Sequence, residues 1–240
     1  KEVLRNTSGI SFLAGEGGEE DIRLRGFSLQ ATGDVFVDGL RDPAFYDRDT
    51  FNLERVEVLR GSASMLFGRG STGGAVNMVN KTPHAMDEHS IELAAGSHRY
   101  GRLVGDFNFR ASESSALRLG VMRTVADNNG AGSSIDKGGL SAAWRWGIGE
   151  RDEFSASFYH LDNRNGINYG LPWIRPTATA AASQTTILPL DPTAFLGMAS
   201  DINEGRATYL TLSHLRRLDN GQLQTRVRRG SYDRDQRASA

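Results

Sequence analysis

The chain has 240 residues, with 28 Lys and Arg against 29 Asp and Glu, and no cysteine. That length makes one large domain or two small ones. The near-balanced charge argues against a general nucleic-acid binder, which would carry a basic excess, and zero Cys excludes disulfides, thiolate metal sites and Cys nucleophiles. Glycine at 28 residues, proline at 6 and a hydrophobic share of 38% fit a sheet that is apolar on one face and wet on the other.

No run of about 18 apolar residues is present, so no transmembrane helix is expected. Residues 1–10 lack the basic and then apolar regions of a secretory leader and read as the tail of a short helix running into Asn6-Thr7-Ser8-Gly9. The chain thus reads as beginning in mid-domain. Up to Pro83 it is punctuated by glycine, with brief strand-like pieces at 22–25, 35–37, 55–59 and 75–80 and turn signals at Thr32-Gly33-Asp34, Asp38-Gly39 and 68–74. Residues 62–67 suit a single helical turn. This half predicts a small mixed α/β domain built on a four-stranded sheet with long loops.

From Ser90 onward long alternating segments replace that pattern. Apolar residues alternate with polar or small ones around 91–95, 103–110, 117–122, 140–148, 154–159, 210–213 and 223–227. These predict about seven strands of ~9–12 residues, longer than is usual in globular sheets. Tight polar turns at 111–115, 150–152 and 219–222 contrast with longer connections at 126–136 and 163–204. Short turns on one rim and long loops on the other mark an outer-membrane barrel, and Trp144 and Trp146 suit an interfacial girdle. A soluble β-sandwich would show the same alternation with shorter strands.

Motifs for chemistry are weak. Gly68-Arg69-Gly70-Ser71-Thr72-Gly73 fits G-x-G-x-x-G, but β-like residues follow it where a dinucleotide site needs a helix. The five histidines are scattered, so no protein-ligated metal is expected, and no G-x-S-x-G elbow exposes a nucleophile. The acidic run of Glu16, Glu19, Glu20 and Asp21 lacks calcium-loop spacing and reads as a solvated loop. Arg25 and Arg60 each end an apolar piece before a glycine. They are expected to be partly buried and paired with a carboxylate, Asp34, Glu54 or Glu57 if the partner is local. Residues 41–49 combine Arg41, Phe45, Tyr46 and Arg48 in one non-periodic loop. Aromatics beside arginines are what a planar anionic ligand needs; the alternative is a solvated loop with one anchoring aromatic.

The stretches Ile22-Arg23-Leu24-Arg25-Gly26-Phe27, Val35-Phe36-Val37-Asp38-Gly39-Leu40-Arg41-Asp42 and Arg48-Asp49-Thr50-Phe51-Asn52-Leu53-Glu54-Arg55-Val56-Glu57-Val58-Leu59-Arg60-Gly61 follow one another in order and spacing. With Met65-Leu66-Phe67-Gly68, Gly70-Ser71-Thr72-Gly73-Gly74, Asn77 and Lys81-Thr82-Pro83 they resemble the plug of TonB-dependent outer-membrane siderophore receptors, with the catecholate type most similar. Glu92-Leu93-Ala94-Ala95-Gly96-Ser97 resembles the first barrel strand of that family, while Gly61-Ser62 departs from the common Gly-Pro.

The resemblance implies an α+β plug domain with a small mixed four-stranded sheet at 1–84, followed at 85–240 by antiparallel transmembrane β-barrel strands, a partial barrel in an internal fragment of a receptor. It implies binding and TonB-coupled import of a ferric siderophore across the outer membrane of a Gram-negative cell, with no reaction catalysed. Fe³⁺ would be carried by the siderophore and no other cofactor held. The implied partners are the siderophore, TonB with its inner-membrane ExbB–ExbD complex, and outer-membrane lipid, but no nucleic acid. Ligand contacts would come from Phe12, Arg41, Phe45, Tyr46 and Arg48 on the plug apex loops at 12–19, 28–33 and 41–48, and from Tyr169 and Trp173 in the long loop at 163–204. Arg25 and Arg60 match plug arginines that lock to barrel glutamates beyond this chain. The alternatives are a hydroxamate siderophore or another nutrient, then a secreted adhesin-like β domain, then a nucleotide-binding enzyme.

Overall fold

The structure is a computed structural model that describes residues 4, 7–14, 20–43, 46–61, 73–127, 132–168 and 170–239. The expected turn at 62–67, most of the helix tail at the start, and Glu16 and Glu19 of the acidic run fall outside the described residues; Glu20 and Asp21 lie in a strand and not in a solvated loop, and Asp21 accepts from Arg23 and Ser28.

In the first third, β1 (Ile10–Ala14), β2 (Glu20–Leu24) and β3 (Phe27–Ser28) form a three-stranded antiparallel sheet. The chain then makes one helical turn, α1 (Leu29–Thr32), which starts where the Ser28 hydroxyl accepts from the Ala31 N–H and ends on Gly33 at φ 71°, the left-handed stop that glycine allows. A second sheet contains β4 (Val35–Val37), β5 (Leu40–Arg41), β6 (Leu53–Arg60) and β7 (Gly74–Asn80) in the order β5-β4-β7-β6, with β4 and β7 parallel. The expected four-stranded mixed sheet is present, but one member differs. The piece at 22–25 belongs to the smaller sheet, and Leu40–Arg41 takes the fourth place. Two residues after the Asp38-Gly39 turn are too few for alternation to show, yet they suffice to cover the β4 edge.

The remainder is one antiparallel sheet of seven strands: β8 (Glu88–Gly96), β9 (Tyr100–Arg110), β10 (Ser115–Ala126), β11 (Ile135–Trp146), β12 (Asp152–Asn165), then, after a small hairpin of β13 (Trp173–Ile174) and β14 (Thr186–Ile187), β15 (Ile202–Leu218) and β16 (Gly221–Arg237). Their order follows the sequence, so each pairs with its neighbour in the meander of an open barrel wall. The connections at 111–114, 147–151 and 219–220 share one rim; those at 97–99, 127–134 and 166–201 share the other. No helix among the described residues is long and apolar enough to cross a membrane, which says nothing of strands.

The two faces of the wall differ as a lipid-spanning sheet requires. Outside, Ile91, Leu93, Leu103, Val121, Leu140, Trp144, Phe158, Leu210, Leu212 and Val227 are exposed. At the short-turn rim Trp146, Phe154 and His214 lie side by side on three adjacent strands, with ring centroids 5.5 and 4.3 Å apart. Inside, Val104, Met122, Tyr159, Leu161, Ala207 and Tyr209 merge with Ile22, Leu24, Leu29, Val35, Val76 and Met78 of the plug half into a single core. The wall is therefore dry inside where the plug touches it.

Candidate functional site

The loop after β5 is organised by a buried carboxylate. Asp42, 2% exposed, lies 2.6 Å from an Arg48 guanidinium nitrogen and accepts the Tyr46 hydroxyl at 2.9 Å. Arg48 also donates to the Pro43 carbonyl at 2.5 Å and stacks over the Tyr46 ring at 4.3 Å. Burial pushes the Tyr46 hydroxyl well above its ordinary pKa, against the opposing pull of Arg48. The ring of Tyr46 meets Tyr232 of β16 at 5.5 Å. Tyr46 and Arg48 are thus held together inside the loop, pointing at the wall and at Asp42.

The next residues fasten the loop to the wall. The Asp47 carbonyl accepts from Asn163 at 2.8 Å and its carboxylate from Asn165 at 2.7 Å, with Lys137 at 3.8 Å. Asp49 takes a two-pronged grip from Arg102 at 2.7 and 3.1 Å, and Arg102 also donates to Thr124. Such forked pairs fix direction as well as distance. Phe51, 4% exposed, stacks on Tyr159 at 5.6 Å. Its socket exists because two inward positions are glycine: a Cβ at Gly139 would lie 2.7 Å from the Phe51 ring, and one at Gly120 3.6 Å from it.

Two further anchors lie lower on the wall. Asp38 accepts the Asn80 backbone N–H at 2.9 Å, the Asn80 amide at 2.7 Å and Arg228 at 3.3 Å, while Arg228 sits over the Tyr209 ring at 4.4 Å. Tyr209 stacks on Tyr159 at 4.7 Å. An aromatic row, Phe51–Tyr159–Tyr209, therefore runs round the inner wall and ends on a cation. The segment between β7 and β8 is pinned at the short-turn rim. Lys81 and Arg118 both grip Asp106, Arg118 and Arg145 each donate at 3.0 Å to the carbonyls of Thr82 and Pro83, and buried Asn108 receives the His84 N–H and donates to the carbonyls of His84 and Met86.

The other expected site residues are dispersed. Arg41 is exposed with its guanidinium 5.7 Å from the Phe36 ring centroid, Phe12 is half-buried in β1 against the core, and Trp173 is 69% exposed in β13. Phe45 and Tyr169 lie outside the described residues. Arg25 and Arg60 are exposed, not partly buried as expected, because each sits where its strand ends and the chain turns away from the core. Two of their three local candidate partners are otherwise engaged, and the third, Glu54, is exposed. Glu57 accepts from Asn77 and Arg55, both at 2.8 Å, and Asp34 is buried and accepts from Thr32. Arg25 holds a left-handed φ of 54°, a conformation that costs a non-glycine residue on the order of 1 kcal/mol. The G-x-G-x-x-G glycines lead into strand β7, so the helix of a dinucleotide site is missing there. Among the described residues no cluster of three or more His, Asp or Glu could hold a metal ion.

Sequence reasoning missed Asp38, Asp47, Asp49 and Phe51 as docking residues. Their partners lie up to 190 positions away in the chain, and no local sequence pattern signals them.

Two small sheets seated on an outward-apolar, seven-stranded meander have counterparts among known proteins. Residues 1–75 match the TonB-dependent Receptor Plug Domain. The chain is 36% identical over 180 residues to the probable TonB-dependent receptor BfrD of Bordetella pertussis, covering 74% of this chain and 24% of that protein. The chain belongs to the TonB-dependent receptors. It is also 28% identical over 222 residues to the catecholate siderophore receptor Fiu of Escherichia coli K12, covering 88% of this chain and 29% of that receptor. The crystal structure of the ferric-catecholate import receptor Fiu in its open form superposes with a TM-score of 0.87 at 24% identity, over 98% of this chain and 36% of that one. This TonB-dependent receptor chain spans about a quarter of the length of the curated relatives it matches. Its strands are those of an outer-membrane wall, as the alternation predicted, and its fold is a plug with a partial barrel, as the resemblance implied.

Proposed function

We propose that the receptor containing this chain binds a ferric siderophore at the plug apex and imports it across the outer membrane with energy delivered through TonB and its ExbB–ExbD complex. The observation that carries this reading is a plug clamped inside a lipid-facing wall at several heights by separable polar contacts. Such a plug blocks the lumen at rest and can be displaced one contact at a time. Residues 1–84 act as plug and 85–240 as wall. Fe³⁺ enters as part of the cargo, and the protein performs binding and transport without a catalysed reaction.

We further assign the ligand contacts to exposed groups, Arg41 on β5 and Trp173 on the long loop, together with Phe45 and Tyr169. Tyr46, Arg48 and Phe12 shape the apex from beneath. Arg25 and Arg60, exposed and with no ion pair among the described residues, are the candidates for a lock to barrel carboxylates outside this chain. The similarity to a receptor named for catecholates supports a catecholate siderophore; a hydroxamate siderophore is the second choice, because the acidic run at 16–21 repels a strongly anionic ligand. Uptake of a panel of ferric siderophores by cells whose only such receptor carries this chain tests the reading, and no uptake of any member defeats it. Arg41→Ala and Trp173→Ala should each weaken binding by about 1–3 kcal/mol, roughly 5–150-fold, in a fluorescence titration. Unchanged affinity in both removes them from the site.

A further inference from the structure

The connection at 166–201 differs in chemistry from the rest of the chain. It carries three charged residues, Arg175, Asp191 and Asp201, in a chain that is 24% charged, and Trp173, Ile187, Leu190, Leu196 and Met198 on it are exposed. Within it Ile167, Pro172, Phe195 and Leu196 line an apolar cavity of about 130 Å³, with Asp201 and Ser239 beside them. Asp201 is the one charged group of the lining, and its carboxylate is taken up locally. It accepts the Met198 and Ser239 backbone N–H groups, both at 3.0 Å, and the Ser239 hydroxyl at 2.8 Å. The Phe195 ring is seated against Gly132 and Gly197, where any Cβ would collide with it, so the cavity is preformed. Ile167 is buried and lies two residues beyond Asn165, which holds Asp47 of the plug apex; that step spans at most about 7 Å. An apolar void of about 150 Å³ stays dry and takes up a benzene ring, so this one has room for a single ring or a short alkyl chain.

We propose that this cavity receives an aromatic or short aliphatic appendage of the cargo, so that the preferred substrate is an amphiphilic ferric siderophore, its iron-binding head on the plug apex and its apolar end in the connection at 166–201. The proposal rests on the siderophore reading and narrows its substrate class. A preformed cavity loses little freedom on binding, and each methylene buried in it adds up to about fourfold in affinity. The test uses a ferric tris-catecholate and a ferric tris-hydroxamate, each carrying either an N-acetyl or an N-hexanoyl group, so that the members of a pair differ in methylenes and not in charge. Binding and uptake are measured on cells carrying the intact receptor, above cells lacking it. For whichever head the receptor accepts, the hexanoyl member should bind at least tenfold tighter. The ratio within the pair, which is independent of the amount of receptor, should fall below threefold in Leu196→Asp and in Pro172→Asp, both at exposed positions. Equal binding of the two members by the intact receptor, or a ratio unchanged in both variants, overturns the proposal alone. Failure of every member to bind and enter overturns the siderophore reading and the proposal with it.

Discussion

The seat of Phe51 can be tested by a double-mutant cycle with Gly139. Phe51 is almost wholly buried and stacks on Tyr159, so Phe51→Ala should cost about 3–5 kcal/mol of plug docking. Gly139→Ala acts from the other side. Its new methyl would stand 2.7 and 2.9 Å from two carbons of the Phe51 ring and 3.3 Å from the Met122 methyl. The ring has nowhere to retreat because Tyr159 backs it, so the overpacking cost should be about 1–3 kcal/mol. Without Phe51 only the mild approach to Met122 remains, and Gly139→Ala should then cost less than about 0.5 kcal/mol, leaving a coupling energy of about 1 kcal/mol or more. The assay is plug release in urea from the detergent-solubilised receptor, followed by brief proteolysis of the released domain. Strict additivity of the two substitutions would show that Phe51 does not occupy the glycine socket.

Asp49→Asn replaces the carboxylate that pairs with Arg102 by a neutral amide in a half-dry interface and should lower the urea midpoint by the equivalent of about 3 kcal/mol, whereas Arg55→Ala, an exposed pair with Glu57, should change it by less than about 1 kcal/mol. The raised Tyr46 pKa means that the folded loop favours the neutral phenol. Its contribution is therefore complete below the unfolded value near 10 and is lost as pH rises above it. Plug stability should fall more steeply above pH 10 in the parent than in Tyr46→Phe, and parallel alkaline curves would contradict the burial. Arg25→Gly relieves the left-handed backbone and should stabilise the turn by up to about 1 kcal/mol, yet weaken plug retention if Arg25 locks to the wall; a membrane no leakier to a small antibiotic would leave the lock without support.

The wall was legible because its alternation is long: nine to seventeen residues of period two on each of seven strands leave no room for a helix. The contrast of turn lengths gave the two rims for the same reason. The plug was legible mainly through resemblance, since β3 and β5 are two residues each and carry no periodic signal. The site was harder. Arg48 and Tyr46 read as ligand groups because aromatics and arginines in a loop look alike whether they face a ligand or each other. What separates the cases is Asp42, whose burial no local pattern announces. The Asp49–Arg102 and Asp38–Arg228 pairs join residues 53 and 190 positions apart, and a single sequence holds no trace of such distances.

The pinning of residues 81–86 to β9, β10 and β11 bears on how the molecule is assembled. Asn108 and Arg118 reach back only 22 to 36 positions to hold that segment, and Arg145 only 62, so these contacts close short loops at small entropic cost. They become available as soon as the first two hairpins pair. The grips on Asp47 by Asn163 and Asn165, and on Asp38 by Arg228, span 116 to 190 positions and wait for later strands. The plug is then carried along by the growing sheet from its own C-terminal end, and the cylinder is built round its occupant, with no need to thread a folded domain through a finished ring.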